Sequence, residues 1–315
     1  MTQKPRIYAV VGPTASGKSA LALEIAKRYG GEIVSCDSMQ LYRRMNVGTA
    51  KPTADELAAV PHHLIDVAEP TESFSAADYV TLADKAIREI IERGKKPILC
   101  GGTGLYLDAL LRESDFGEGL TDDALRAELL DFARQNGNEA LHSVLRELDP
   151  ESAEAIHPNN VKRVARAIEI CRLSGQRKSD IDRRSKEGEN RFDIRCVGLL
   201  YPDRARLYER IDARVDAMIA DGLVEETRAL MEEGVFLKNS TAAQAIGYKE
   251  LMSYIRGEES LFAATERLKM ATRRYAKRQI TWFSARKYVT RLDVGEKTEK
   301  TFEEIVNNAS ELFFS

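Results

Sequence analysis

Cysteine and histidine are scarce in this chain, four of each in 315 residues, and their scarcity narrows what the protein can be. Cys36, Cys100, Cys171 and Cys196 are widely spaced with no C-x-x-C pair. That spacing excludes a cysteine zinc cluster and a disulfide framework, and it predicts a reducing, cytoplasmic setting. Long apolar runs are missing as well. Nothing approaches the ~20 residues that a membrane-spanning helix requires, and the run at 7–11 is too short for a signal peptide. Charge of one sign is not in excess. With a formal net charge of −3, a protein that coats nucleic acid by bulk basicity is excluded, so any such contact has to come from local patches. The remainder, 43% hydrophobic and 31% charged, is an ordinary soluble globular composition, long enough for more than one structural unit.

Residues 6–100 alternate short apolar runs with amphipathic helical patterns. IYAVV (7–11), EIVSC (32–36) and KPILCGG (96–102) read as buried strands; residues 19–30 and 75–93 read as helices. Strands separated by helices imply parallel βαβ units, hence an α/β sheet covered on both faces. Residues 115–194 carry helical patterns and no strand, which makes them an all-helical insertion between core segments 1–114 and 195–315. Within the insertion, the charged stretch 179–193 is expected to be a mobile loop. RCVGLLY (195–201) restores a strand, and the rest reads as largely helical.

The strongest local signal is G-x-x-x-x-G-K-S at 12–19, set between a strand and a helix. Glycines let successive N–H groups of Gly12, Pro13, Thr14, Ala15, Ser16 and Gly17 turn around a phosphate (Pro13 excepted, having no N–H), and the helix N-terminus adds its dipole. Lys18 reaches the terminal phosphates and the Ser19 hydroxyl can ligate Mg²⁺. The generic class is nucleotide-binding, ATP included. The loop alone leaves open whether the phosphate is transferred, hydrolysed or expelled. Kinases and ATPases place a Mg²⁺-organising acid after another apolar strand, yet here KPILC ends in Gly101-Gly102-Thr103-Gly104. The strand EIVSC does end in an acid, Asp37, followed by Ser38, Met39 and Gln40. Both strands finish at the carboxyl edge of the sheet, where ligands bind. On that placement Asp37 is either a general base or a metal organiser, and Thr103 is either a capping hydroxyl or a site ligand.

Seven motifs occur in order: GPTASGKS (12–19), DSMQLY (37–42), PHHLID (61–66), GGTGLY (101–106), NNVKRVARAIE (159–169), AIGYKE (245–250) and KRQITWF (277–283). Together they closely resemble the bacterial tRNA dimethylallyltransferases, enzymes that prenylate adenosine 37. The resemblance implies a P-loop NTPase-like parallel sheet flanked by helices. It also implies an activity: transfer of the dimethylallyl group from dimethylallyl diphosphate to N6 of adenosine 37, in tRNAs reading codons that begin with U, giving N6-isopentenyladenosine and diphosphate. The loop would then hold the leaving group. Lys18, the loop amides and Mg²⁺ would stabilise the departing charge, Asp37 would take the amine proton, and Thr103 would hydrogen-bond near the reacting centre, the diphosphate or its Mg²⁺. Arg163 and Arg166, one helical turn apart, match an R-x-x-R motif for diphosphate or tRNA, with Lys162 beside them. Asp37, Ser38, Met39 and Gln40 match adenosine-reading positions, and Thr103 counts with them among the tRNA-binding residues. Gln244, Tyr248 and Lys249 match a tRNA-contact segment, and Arg126 is either a further tRNA contact or a solvated arginine. The insertion would clamp the anticodon stem, and the enzyme is expected to act as a monomer away from membranes.

Two readings stand beside these. Residues 266–287 hold eight basic residues and one acid, with Leu268, Ala271, Tyr275, Trp282 and Phe283 as a core stripe. Lys269, Arg273, Arg274, Lys277 and Arg278 are left for solvent or for phosphate. His62 and His63 are expected to be satisfied locally rather than to bind metal. The competing functions are a small-molecule or nucleotide kinase, an adenylate isopentenyltransferase acting on free nucleotide, and a nucleotide-gated switch.

Overall fold

The apolar run near the N-terminus forms β1 (Arg6–Val11), buried from Ile7 onward, and delivers the glycine loop into α1 (Lys18–Tyr29). Gly30 closes that helix at φ 65, a left-handed conformation suited to glycine, and its N–H reaches the Ala26 carbonyl. There follow β2 (Gly31–Ser35), α2 (Ala54–Ala59), the two-residue β3 (His62–His63), α3 (Ala76–Glu92), β4 (Lys96–Gly101) and α4 (Gly104–Leu111). Helices α5 (Asp123–Asn136), α6 (Asn138–Leu148), α7 (Pro150–Ala155), α8 (Val161–Ser174) and α9 (Lys178–Glu187) come next. The chain then runs through β5 (Asp193–Leu200), α10 (Arg204–Ala220), α11 (Leu223–Glu232), α12 (Tyr248–Ile255), α13 (Leu261–Ser284), β6 (Val289–Asp293) and α14 (Phe302–Phe314). This computed structural model describes residues 4–112, 121–188, 190–237, 241–294 and 301–314.

The six strands form one parallel sheet in the order β3-β2-β4-β1-β5-β6. Because β1, β2 and β4 are covered on both faces, their residues are buried almost without interruption rather than at alternate positions. On one face Leu21 and Ile25 of α1 and Val306 and Phe313 of α14 pack on Val10, Ile33, Ile98 and Val197. From β1 the chain moves to β2 on one side, and from β4 to β5 on the other. The phosphate loop therefore opens where strand order reverses, the crevice in which open α/β sheets bind ligands.

The chain divides into two compact units, residues 1–110 with 192–315, and residues 111–191. The boundary expected at 114 and 115 lies outside the described residues. The second unit is helical, with Leu129, Leu141, Leu145, Val164 and Ile168 at its centre. One expectation fails there: residues 179–187 of the supposed mobile loop belong to α9. Its first turn is tied to Asp149, whose carboxylate accepts from the Ser179 N–H at 2.8 Å and hydroxyl at 2.7 Å, and Lys178 pairs with Asp182 along the helix. High charge did not signal disorder, because the charges pair at helical spacing and the helix is capped from another segment. The restored strand also begins earlier than expected, at Asp193, which pairs with Arg6.

Candidate active site

The glycine loop is shaped by its backbone. Gly17 sits at φ 91 and Ala15 at φ 62, where an alanine is strained. Two long side chains hold that turn: Arg210 Nε donates to the Ala15 carbonyl at 2.9 Å, and Gln279 Oε1 accepts from the Thr14 N–H at 2.9 Å. Lys18 Nζ donates to the Pro13 carbonyl at 3.3 Å. Among the described residues the buried Ser16 hydroxyl has no hydrogen-bond partner, an orphaned donor inside an anion cradle.

The loop borders a cavity of about 440 Å³. Thr14, Lys18, Ser19, Asp37, Ser38, Gln40, Gln244, Lys249, Arg214, Tyr275 and Arg278 supply its polar lining, and Leu23, Ile33, Met39, Ile65, Ile211, Val215 and Met218 its apolar lining. Phosphate cradle and Asp37 thus face one space. Asp37 follows β2, and its Oδ1 accepts from the Met39 N–H at 2.9 Å, which turns the chain after the strand. Its charge is felt by its neighbours. Burial lowers the pKa of Lys18, reinforced by the Arg214 guanidinium and opposed by Cys100 and Asp37. Burial likewise lowers Arg214, again opposed by Asp37, and raises the Tyr275 hydroxyl, where Asp37 acts in the same direction.

Thr103 does not line the cavity directly. Its Oγ1 accepts from the Ser38 N–H at 3.0 Å and lies 3.3 Å from the Ser38 hydroxyl; its own N–H donates to the Cys36 carbonyl at 3.1 Å. It orders the turn that carries Asp37. Helix α13 presses on this turn: a Cβ at Gly102 would overlap the Gln279 amide, and one at Gly104 the Trp282 ring. Close approach of that helix explains Gly102 and Gly104, whereas a Cβ at Gly101 would overlap the Cys36 backbone after β2.

The tRNA-contact set divides. Gln244 and Lys249 are exposed at the cavity mouth, but Tyr248, expected beside them, is fully buried, its hydroxyl donating to Glu226 at 2.7 Å. The same Glu226 carboxylate accepts from the N–H groups of Asn46, Val47 and Gly48 at 2.9, 2.9 and 3.1 Å. Tyr248 is therefore a brace rather than a contact surface. The Gln40 amide is occupied too, by the Ser35 hydroxyl at 3.0 Å and the Thr49 and Ala50 carbonyls at 3.3 and 3.1 Å. In the second unit Lys162 and Arg163 are exposed on α8, while Arg166 and Arg126 both pair with the fully buried Glu169, at 2.7 and 2.9 Å. Arg126 is not a plain solvated arginine.

The basic helix is partly neutralised. Arg273 pairs bidentately with Asp212 at 2.8 Å, Lys269 with Asp216 at 2.8 Å and Arg286 with Asp108 at 2.6 Å; Arg274 and Lys277 are exposed. His62 Nδ1 lies 2.8 Å from the Val60 carbonyl, and His63 Nε2 lies 2.7 Å from Glu32. Among the described residues no group of three or more His, Cys, Asp or Glu is arranged for a metal. A Mg²⁺ still fits, carried mainly by phosphate oxygens and water with the Ser19 hydroxyl and Asp37 at hand, since this ion keeps several waters and is rarely caged by protein alone. Sequence reading passed over Arg210, Arg214, Glu226 and Gln279. The four-residue spacing of Arg210 and Arg214 beside Ile211, Val215 and Met218 was a usable sign for the first two.

A model of the IPP transferase family matches residues 40–287. The chain is 48% identical to the tRNA dimethylallyltransferase of Bacillus pumilus over 293 residues, covering 93% of this chain and 91% of that one. It is similar in structure to the tRNA delta(2)-isopentenylpyrophosphate transferase of Staphylococcus epidermidis, with a TM-score of 0.70, 40% identity and 98% of each chain covered. It also resembles a eukaryotic dimethylallyltransferase acting on tRNA, with a TM-score of 0.79 and 29% identity over 94% of this chain and 75% of that one. A family model over residues 40–287 and 48% identity over 93% of the chain mean that it belongs to the IPP transferases, the family of the tRNA dimethylallyltransferases.

Proposed function

We propose that this enzyme transfers the dimethylallyl group of dimethylallyl diphosphate to the N6 amine of adenosine 37 in the anticodon loop of tRNAs that read codons beginning with U. The observation that carries the reading is that the phosphate loop and the Asp37 carboxylate face one cavity. In the reaction the bond between C1 and the diphosphate oxygen breaks as the C1–N6 bond forms. The electron pair leaves with diphosphate, and the amine proton passes to Asp37. Lys18, Arg214 and the loop amides receive the departing charge. Mg²⁺, when bound, neutralises part of the same charge. Thr103 orients Asp37 through Ser38, and the apolar wall suits a five-carbon hydrocarbon. Four unpaired cysteines suit a cytoplasmic enzyme.

The test is incubation with Mg²⁺, dimethylallyl diphosphate and an anticodon stem-loop carrying A36-A37-A38, followed by nucleoside mass spectrometry. An adenosine heavier by one C5 prenyl group is expected. Parallel reactions with labelled ATP, and with AMP as acceptor, distinguish a kinase and a free-nucleotide prenyltransferase. Asp37→Ala is expected to lower kcat by about 10²–10⁴ while stem-loop affinity changes little; equal losses in both would refute Asp37 as base.

A further inference from the structure

Leaving group and base are held by different loops, one after β1 and one after β2, and prenyl transfer needs both at a fixed separation. The side chain that joins them lies on neither. Gln279, on α13, is 4% exposed. Its Oε1 accepts from the Thr14 N–H at 2.9 Å and its Nε2 donates to the Gly102 carbonyl at 3.0 Å. The next residue, Thr103, holds Ser38, the neighbour of Asp37. The hydrogen bonds thus run from the phosphate loop through one amide to the turn that bears the carboxylate. A buried amide is a costly way to fill space that leucine or methionine would fill without desolvating polar atoms. What it adds is direction, a donor on one side and an acceptor on the other. By taking the Thr14 N–H it also fixes which loop amides remain for phosphate.

We propose that Gln279 is a positioning residue that sets the separation between the diphosphate loop and the Asp37 carboxylate, a role that rests on the prenyl-transfer reading. Misplacement of reacting groups by about 1 Å can cost about 10²-fold in rate, so the effect falls on kcat. In the full-length enzyme with Mg²⁺, dimethylallyl diphosphate and the stem-loop, Q279M keeps the volume and loses both bonds. It is expected to lower kcat at least about tenfold, with the KM of each substrate within about threefold. Q279E keeps the acceptor for Thr14, but when ionised it turns a second acceptor on the Gly102 carbonyl; when protonated it donates there. The ratio of Q279E to wild-type kcat is therefore expected to rise as pH falls from about 8 to about 6, a readout that simple loss of packing would not move.

A Q279M kcat within about twofold of wild type, or a flat Q279E ratio, overturns the role. Should Q279M fail to fold, the Q279E ratio decides alone. A wild type that makes no prenylated adenosine overturns the functional reading and this role with it, whereas an active wild type with unaffected variants overturns the role alone.

Discussion

Arg214 shows what burial does to a single cation. It sits half-buried on α10 in the cavity that Lys18 lines, and desolvation lowers both pKa values. Two partly desolvated cations beside one carboxylate favour a ligand that brings negative charge. Arg214→Met is expected to weaken Mg-pyrophosphate binding about tenfold or more, the equivalent of about 1.5–3 kcal/mol for hydrogen bonds to a charged group, as read by isothermal titration. Unchanged affinity would remove Arg214 from the cradle. Ser19, Lys18 and Asp37 were legible in the sequence because local backbone places them: a loop of fixed spacing, and an acid immediately after a buried strand. Arg214 left only the four-residue spacing from Arg210 as a sign, and Gln279 and Glu226 left none, since each enters the site only through the packing of α13 or α11 against the sheet, and single-residue patterns do not encode which helix turn will face a loop.

At the scale of elements, two carboxylates fix segments in ways that propensity would not reveal. Glu226 gathers three backbone N–H groups and the Tyr248 hydroxyl, and so fixes the start of loop 46–51, whose later part lines the cavity. Glu226→Gln replaces an acceptor with a donor facing donors. A loss of about 1–3 kcal/mol in unfolding free energy is expected, against about 1 for Tyr248→Phe, which removes one bond; chemical denaturation would show the order. Asp149 does the same for α7 and α9. Burial alone would push its carboxyl up, but hydrogen bonds from Ser152 and Ser179 hold it down at about 2. Its stabilisation is therefore complete above the ordinary aspartate range and disappears as pH falls from about 4 to about 2, amounting to about 2 kcal/mol. Asp149→Asn should be the less stable protein at pH 7, and its deficit should shrink toward pH 2; a constant deficit would contradict the assignment. These contacts also explain why α9 was misread: 30 residues separate Ser179 from Asp149. The two-residue β3 and the edge strand β6 escaped notice for a related reason. Being short and at sheet edges, they carry little apolar pattern.

For the molecule as a whole the question is how a chain of net charge −3 could hold a polyanion. Counting basic residues along 266–287 overstated the positive surface, because α10 and α4 supply acids that the linear sequence does not show next to them: Asp212 for Arg273, Asp216 for Lys269, Asp108 for Arg286. Cations already paired exchange one anion for another on binding phosphate and release few counterions. Exposed ones, Arg274 and Lys277 on α13 and Lys162 and Arg163 on α8, release them fully. Affinity for the stem-loop should therefore fall linearly with the logarithm of salt concentration, with a slope set by the exposed group. Arg274→Gln and Lys277→Gln are each expected to make that slope shallower by about 0.7–0.9 for every phosphate that the variant no longer neutralises. Arg273→Gln should leave the slope nearly unchanged and lower thermal stability instead, since it strands Asp212. Fluorescence anisotropy across a salt series measures all three. If Arg273→Gln flattened the slope as much as Arg274→Gln, the ion pair with Asp212 would not be setting which charges reach the RNA.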